Sequence, residues 1–250
     1  MENSGFQNIK NLKKREKHLL TGRASECMLF LFRKCGKPQK FFGKKEEVNM
    51  AEYLDILGED LLPTGETATR ERVHREGLLH SAVIVAIVDE NNRILIQKRA
   101  EEKEKYGGLW DVSVAGHTPA GHYEIDTTFL ESMEEVNISI PIVTHVANFK
   151  GLRSFLDKRV IKQDGKPDFI ENQLYTVYML FPNIEQIRQI RVQKSEVSAV
   201  DWKTMHEIRE MMAEGLFHPR TKWLDVVYPK LAQLAFRGKT PIGKKQEIEK

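Results

Sequence analysis

The 250-residue chain holds 39 Lys+Arg against 36 Asp+Glu and is 40% hydrophobic, enough to build one substantial domain with extensions. No apolar run approaches a membrane span, since Met28–Phe32 is only five residues. The net charge of +3 splits unevenly: residues 1–49 hold 12 Lys+Arg against 5 Asp+Glu, leaving 27 against 31 elsewhere. The basicity therefore belongs to the leader and does not make the domain a nucleic-acid binder.

Residues 1–49 lack a sustained helical or strand period and carry both cysteines, Cys27 and Cys35. Met50 reads as the natural start, with an over-long gene model before it; the alternatives are a genuine basic arm or a presequence, the latter at odds with Glu2, Glu16 and Glu26. A secretory signal does not fit, because Arg33 and Lys34 follow the apolar run without a small-residue cleavage site. Two cysteines outside the domain imply no disulfide framework, so a reducing cytoplasm is the expected location.

From residue 50 to 236 the predicted elements alternate. Tyr53–Leu57 and Gly65–Thr69 suggest a small hairpin, and Arg70–Gly77 a short helix. Ala82–Val88 and Arg93–Gln97 read as strands joined by Asp89-Glu-Asn-Asn, a hairpin signal. The loop Ala115–Gly121 is marked by Gly116 and Gly121, which suit a close backbone approach or a positive φ. It feeds a helix predicted from Tyr123 to Val136. On that helix Ile125, Phe129, Met133 and Val136 share one narrow stripe, while Glu131, Glu134 and Glu135 fall opposite.

Val143–Phe149 and Leu174–Phe181 are strand-like, linked by a polar stretch with the turn signal Lys162-Gln-Asp-Gly-Lys166. Glu196–Trp202 reads as a strand and Lys203–Glu214 as a helix. A last helix spans Arg220–Phe236, with Trp223, Val227, Leu231 and Leu234 on one side and Pro229 expected to kink or split it. Residues 237–250 read as a charged tail. The order predicts an α/β fold, a mixed sheet sandwiched by helices, with the glutamate helix across one face.

Glutamates three and four residues apart crowd like charge on a helix and call for a counter-ion. Hard divalent cations suit such a cluster, and Mg²⁺ held this way usually also holds substrate phosphates. A solvated acidic helix face is the alternative. A glycine loop ahead of the helix can complete such a site, with metal between a backbone carbonyl and side-chain oxygens. Arg99 and Lys103 emerge where a strand ends and can neutralise phosphate oxygens; the other reading makes them surface cations beside Glu101, Glu102 and Glu104. Trp110 reads as a core residue.

Residues Gly116–Ile138 resemble the Nudix box, G-x5-E-x7-R-E-U-x-E-E-x-G-U, where U is aliphatic. Gly116, Glu131, Glu134, Glu135 and Ile138 match it. Glu52–Ile56, Pro63–Gly65, His74–His80, Ile96–Arg99, Gly108–His117 and Glu196–Trp202 extend the likeness to the branch related to isopentenyl diphosphate isomerase. It runs from about residue 50 to about 220. The resemblance implies a Nudix-type α/β/α sandwich and Mg²⁺ or Mn²⁺ bound by the Gly116 carbonyl, Glu131, Glu134 and Glu135. It also implies catalysis by those glutamates, and a small-molecule diphosphate bound by Arg99, Lys103 and His117. The expected activity is metal-dependent cleavage of a diphosphate linkage in a nucleoside diphosphate or related organic diphosphate.

The departures set the alternatives. His122, Leu130, Ser132 and Asn137 replace the first Glu, the Arg, the aliphatic residue and the Gly of the box. Leu130 cannot make the charge-assisted pair with which the family's Arg steadies its glutamates, so a diphosphate-binding protein without turnover is the first alternative. Asn137 is the mildest change, because Asn tolerates the left-handed conformation that ends helices. An isomerase ranks third: Ala115 stands where that enzyme has a proton-transferring Cys, and Gln173 replaces the second acid of its Glu-x-Glu. His74, His80 and His117 are similar to the isomerase's metal-binding histidines, with the first spacing one residue short.

Overall fold

The computed structural model describes residues 51–138, 149–163 and 165–236. The basic leader, most of the strand expected over 143–149, and the tail lie outside the described residues.

Strands β1 (Tyr53–Leu57) and β2 (Pro63–Thr69) pair antiparallel, with Tyr53 opposite Thr69, as the hairpin expectation required. Helix α1 (Arg70–Glu76) follows at once. Thr69 caps it by accepting from the Arg72 amide, and Gly77 ends it at φ 65°. Strand β3 (His80–Ile87) is buried along its whole length and forms the centre of the fold. Its apolar run is what a strand covered on both faces needs.

One edge of β3 runs parallel to β8 (Phe169–Leu180), from His80 opposite Gln173 to Ile87 opposite Leu180. The other edge takes β6 (Val114–His117) and, at His80, β1. Strand β7 (Phe149–Ile161) closes the outer side by pairing with β8. A separate sheet of order β5-β4-β9 joins β4 (Ile94–Arg99) to β5 (Trp110–Asp111) and β9 (Val197–Lys203). The sheet is mixed, with helices against it, as expected.

The turn after β3 forms, with the Asn92 amide donating to the Asp89 carbonyl, but β3 and β4 part into different sheets. Both edges of β3 are already occupied, so β4 pairs elsewhere. Residues 150–161 form strand where a polar linker was expected. Asp157 and Arg159 there find ion-pair partners instead of solvent.

Alternate β3 side chains serve two cores. Ala82, Ile84 and Ala86 meet Tyr175, Val177 and Met179 and the buried residues Trp223, Val227 and Leu231 of α5 (Trp223–Phe236). Burial of each large apolar side chain contributes roughly 1.5–3 kcal/mol. Helix α5 continues through Pro229 as one element, because the buried residues on both sides of the proline hold the same face. On the opposite side, Val83, Val85 and Ile87 meet Val136 of α2 (Glu124–Val136), with Ile125 and Phe129 packed alongside.

Helix α2 is rotated from the expected orientation. Met133 is 45% exposed, whereas Thr128, Ser132 and Glu135 are buried. The helix turns its hydroxyl residues and Glu135 inward, Glu124 being buried as well at its first turn, and Met133 falls at the edge of the apolar stripe. Beyond β8 lie α3 (Ile184–Arg188) and, after β9, α4 (Met205–Ala213), whose Thr204 and Glu207 form a capping box.

Candidate functional site

The strand ends of β3, β6 and β8 and the start of α1 surround a cavity of about 220 Å³. Its lining draws on residues as distant in sequence as Glu52 and Arg220. Small side chains at Ala82 and Ala115 leave the space open.

Two of the expected glutamates face it. Glu131 and Glu135 border the cavity, and Gly116 lies against Glu131: a Cβ built on Gly116 would collide with the Glu131 carboxylate. Glu135 is 9% exposed, and its Oε2 accepts from Gln97 Nε2 at 3.1 Å and from the Ala115 amide at 3.4 Å. Burial, and then the charge of Glu131, push the Glu135 carboxyl up to about 8. Burial, then the charges of Glu134 and Glu52, push Glu131 up to about 7. Glu134 is exposed and stands outside the cavity lining, acting on Glu131 through its charge.

Two carboxylates that repel each other beside the Gly116 backbone of β6 are a donor set that fits a hard divalent cation. Such an ion would replace the protons that burial now favours.

The histidines converge as well. The ring nitrogens that His74, His80 and His117 can offer a metal lie within 4.8 Å of one another. His74 Nδ1 donates to the Ile170 carbonyl at 3.1 Å and His80 Nδ1 to the Leu78 carbonyl at 2.9 Å, which leaves both Nε2 atoms as acceptors. Gln173 Nε2 stands 2.9 Å from His117 Nε2 and 3.2 Å from His80 Nε2. Tyr175 OH donates to Gln173 Oε1 and so fixes the amide's orientation. Burial above all lowers His74 to about 3 and His80 to about 4, and takes His117 well below its usual value. His74 Nε2 also stands 3.1 Å from His117 Nε2, and neutral imidazoles gathered this closely can hold a borderline cation such as Zn²⁺ or Mn²⁺.

The expected cations also reach the cavity. Arg99, at the end of β4, lies 3.9 Å from Asp111 through Nη1, and Lys103 pairs with Glu196. Two further arginines join them without any sequence motif to announce them. Arg70 opens α1 and pairs with Glu52 at 2.9 Å. Arg220, in the turn before α5, grips Asp111 through both Nε and Nη2. Burial would raise the Asp111 carboxyl, but the Arg220 guanidinium outweighs it and holds it at about 2.

The substituted box positions are peripheral. His122 is exposed and Leu130 is 47% exposed, both outside the cavity lining. Asn137 ends α2 at φ 56°, the conformation for which Asn is suited. Trp110 packs against the core cluster that contains Trp223. Among the described residues, no helix is long and apolar enough to cross a membrane.

Comparison with known proteins places these features. Residues 78–231 match the family model described as the NUDIX domain. Nudix hydrolase 3 of Arabidopsis thaliana is 32% identical over 165 residues, 65% of this chain, although the chain spans only 20% of that protein. An uncharacterized Nudix hydrolase of Listeria monocytogenes is 28% identical, covering 67% of this chain and 89% of its own. An isopentenyl-diphosphate Delta-isomerase of Pectobacterium atrosepticum is 27% identical, covering 70% and 89%. A solved structure from Deinococcus radiodurans superposes with a TM-score of 0.52 at 19% identity, covering 74% of this chain and 98% of its own.

Proposed function

Because the chain belongs to the Nudix family, we propose that it is a metal-dependent hydrolase that cleaves a diphosphate linkage in a small nucleoside-diphosphate or related organic diphosphate substrate. The observation that carries this reading is that Glu131 lies against Gly116 while Glu135 accepts from the neighbouring Ala115 amide, both carboxyls being pushed up, to about 7 and about 8. Glu131, Glu135 and the Gly116 carbonyl would hold Mg²⁺ or Mn²⁺, with Glu134 on the solvent side. When bound, the cation supplies charge neutralisation and Lewis-acid polarisation of the diphosphate.

The chain's own groups do the rest. Arg99 and Lys103 draw the diphosphate oxygens to the cavity, Arg through paired donors and Lys as a point charge. Gln97 and the Ala115 amide keep the Glu135 carboxylate pointed at the reacting region. Hydrolysis adds water to phosphorus, breaks one P–O bond and yields a monophosphate plus the phosphorylated remainder.

A binding protein without turnover is the second reading, supported by the solvent-facing Leu130 in place of the box arginine. Isomerisation is a poorer fit, because Ala115 and Gln173 border the cavity without an ionisable group. The deciding experiment incubates nucleoside and isoprenoid diphosphates with Mg²⁺ or Mn²⁺ and identifies products by mass spectrometry. Monophosphate formation supports the hydrolase; ligand binding without product supports the second reading; an isomerised diphosphate would overturn both.

A further inference from the structure

The charges around the cavity do not balance evenly. Arg70 is answered by Glu52 at 2.9 Å, and Lys103 by Glu196. Arg99 and Arg220, however, share one carboxylate. Asp111 is fully buried, gives both its oxygens to Arg220 and leaves Arg99 at 3.9 Å. Arg99 Nε is buried and has no hydrogen-bond partner among the described residues. His218 beside them does not alter the sum, since burial above all holds it neutral. Glu171, which also borders the cavity, is taken up by Arg159, so two largely buried guanidiniums face one carboxylate on this wall and favour a further anion.

A diphosphate alone is already well supplied. Lys103, Arg99 and a cation on the glutamates meet its charge before Arg220 is counted. Arg220 has only 10% of its side chain exposed, yet it borders the cavity, and its Nη1 reaches Tyr175 OH at a long 3.4 Å, a contact that a better acceptor can displace. Apolar side chains are scarce there: Ala82 and Ala115 are small and Phe169 stacks on His74 at 4.1 Å, which leaves little surface for a hydrocarbon tail.

We propose that Arg220 is a specificity-determining residue that recognises an anionic oxygen group beyond the diphosphate, a phosphate ester or a carboxylate on the same substrate. The proposal rests on the diphosphate-hydrolase reading for what Arg99 and Lys103 hold. It adds that purely hydrocarbon diphosphates are poor ligands.

The test is calorimetric binding of three ligands of matched length to the full chain with chelator present: propyl diphosphate, 2-carboxyethyl diphosphate and 2-phosphonoethyl diphosphate. The wild type is expected to favour at least one anion-ended ligand over the propyl compound by about tenfold or more. Which of the two is favoured identifies the group. Arg220→Gln alone strands the buried Asp111, so the decisive variant is Asp111→Asn/Arg220→Gln, in which the preference should fall to about parity. Equal binding of all three ligands by the wild type overturns the proposal. So does a uniform loss in the variant, because Arg220 then merely adds to diphosphate affinity. No turnover is needed for this measurement, so a protein that hydrolyses nothing can still show the preference.

Discussion

The Glu131 carboxylate occupies the space that a side chain at Gly116 would need. A strand of the central sheet and a helix lying across it are thereby held at a separation that only glycine permits. The same closeness puts the Gly116 backbone within reach of whatever the glutamate binds.

Gly116→Ala tests that relationship. The added methyl must push Glu131 away from β6, while the rest of β6 still pairs with β3 through Val114 and His117. Metal-dependent turnover is expected to fall by about 100-fold, the usual scale for a displaced reacting group. Circular dichroism should remain that of the folded protein. Undiminished turnover would show that the Glu131 position is immaterial.

Glu135 depends on Gln97, which is 2% exposed and donates at 3.1 Å. Gln97→Leu keeps the volume but removes the donor, leaving the buried carboxylate with the weaker Ala115 amide. Metal affinity is expected to drop roughly tenfold, as for the loss of an outer partner of a ligand. Stability should change by only about 1 kcal/mol. Titration of Mn²⁺ by calorimetry, beside a thermal melt, separates the two effects.

The raised carboxyls also predict how metal-free protein responds to pH. Glu131 and Glu135 have folded values near 7 and 8, above the ordinary 4.5, so the folded state binds more protons and loses stability as pH rises through that range. The lowered histidines His74 and His80 act oppositely, and only below their ordinary 6.5. Between pH 6.5 and 8 the glutamate effect therefore stands alone. Stability should fall there by about 1–3 kcal/mol, allowing for coupling between the pair. Added Mg²⁺ should remove most of the slope, and so should Glu135→Gln. A flat melting temperature for the metal-free wild type would contradict the charge assignment.

Asn137 offers a purely structural check. It ends α2 at φ 56° and donates from Nδ2 to the Gln189 carbonyl at 2.9 Å. Asn137→Val places a β-branched residue in the left-handed region and is expected to cost about 1–2 kcal/mol in chemical denaturation. Asn137→Gly should be close to neutral, losing the side-chain bond but relieving the backbone.

What the sequence made legible was the part that is local. Gly116, Glu131 and Glu135 lie within one strand end and the helix that follows it, although the expected loop over 115–121 is strand as far as His117, so their spacing alone brings them together. Asn137 could be recognised as a helix terminator for the same reason. The rotation of α2 could not, because a wheel drawn from apolar residues treats Thr128, Ser132 and Glu135 as outward when all three are buried. The strand over 150–161 was hidden by charges that pair across β7 and β8, such as Arg159 with Glu171. Arg220 and Asp111 are 109 residues apart, and nothing in either segment announces the other. Their pairing exists only once β5 and the turn before α5 have been packed side by side.

The most direct test of the central claim compares the wild type with Glu135→Gln on the best diphosphate found in the product screen, with and without Mg²⁺. The wild type is expected to turn over only with metal, and the variant to lose about 1,000-fold or more. Equal metal-dependent turnover by both proteins would contradict that expectation, because the buried carboxylate beside Ala115 would then have no part in the reaction.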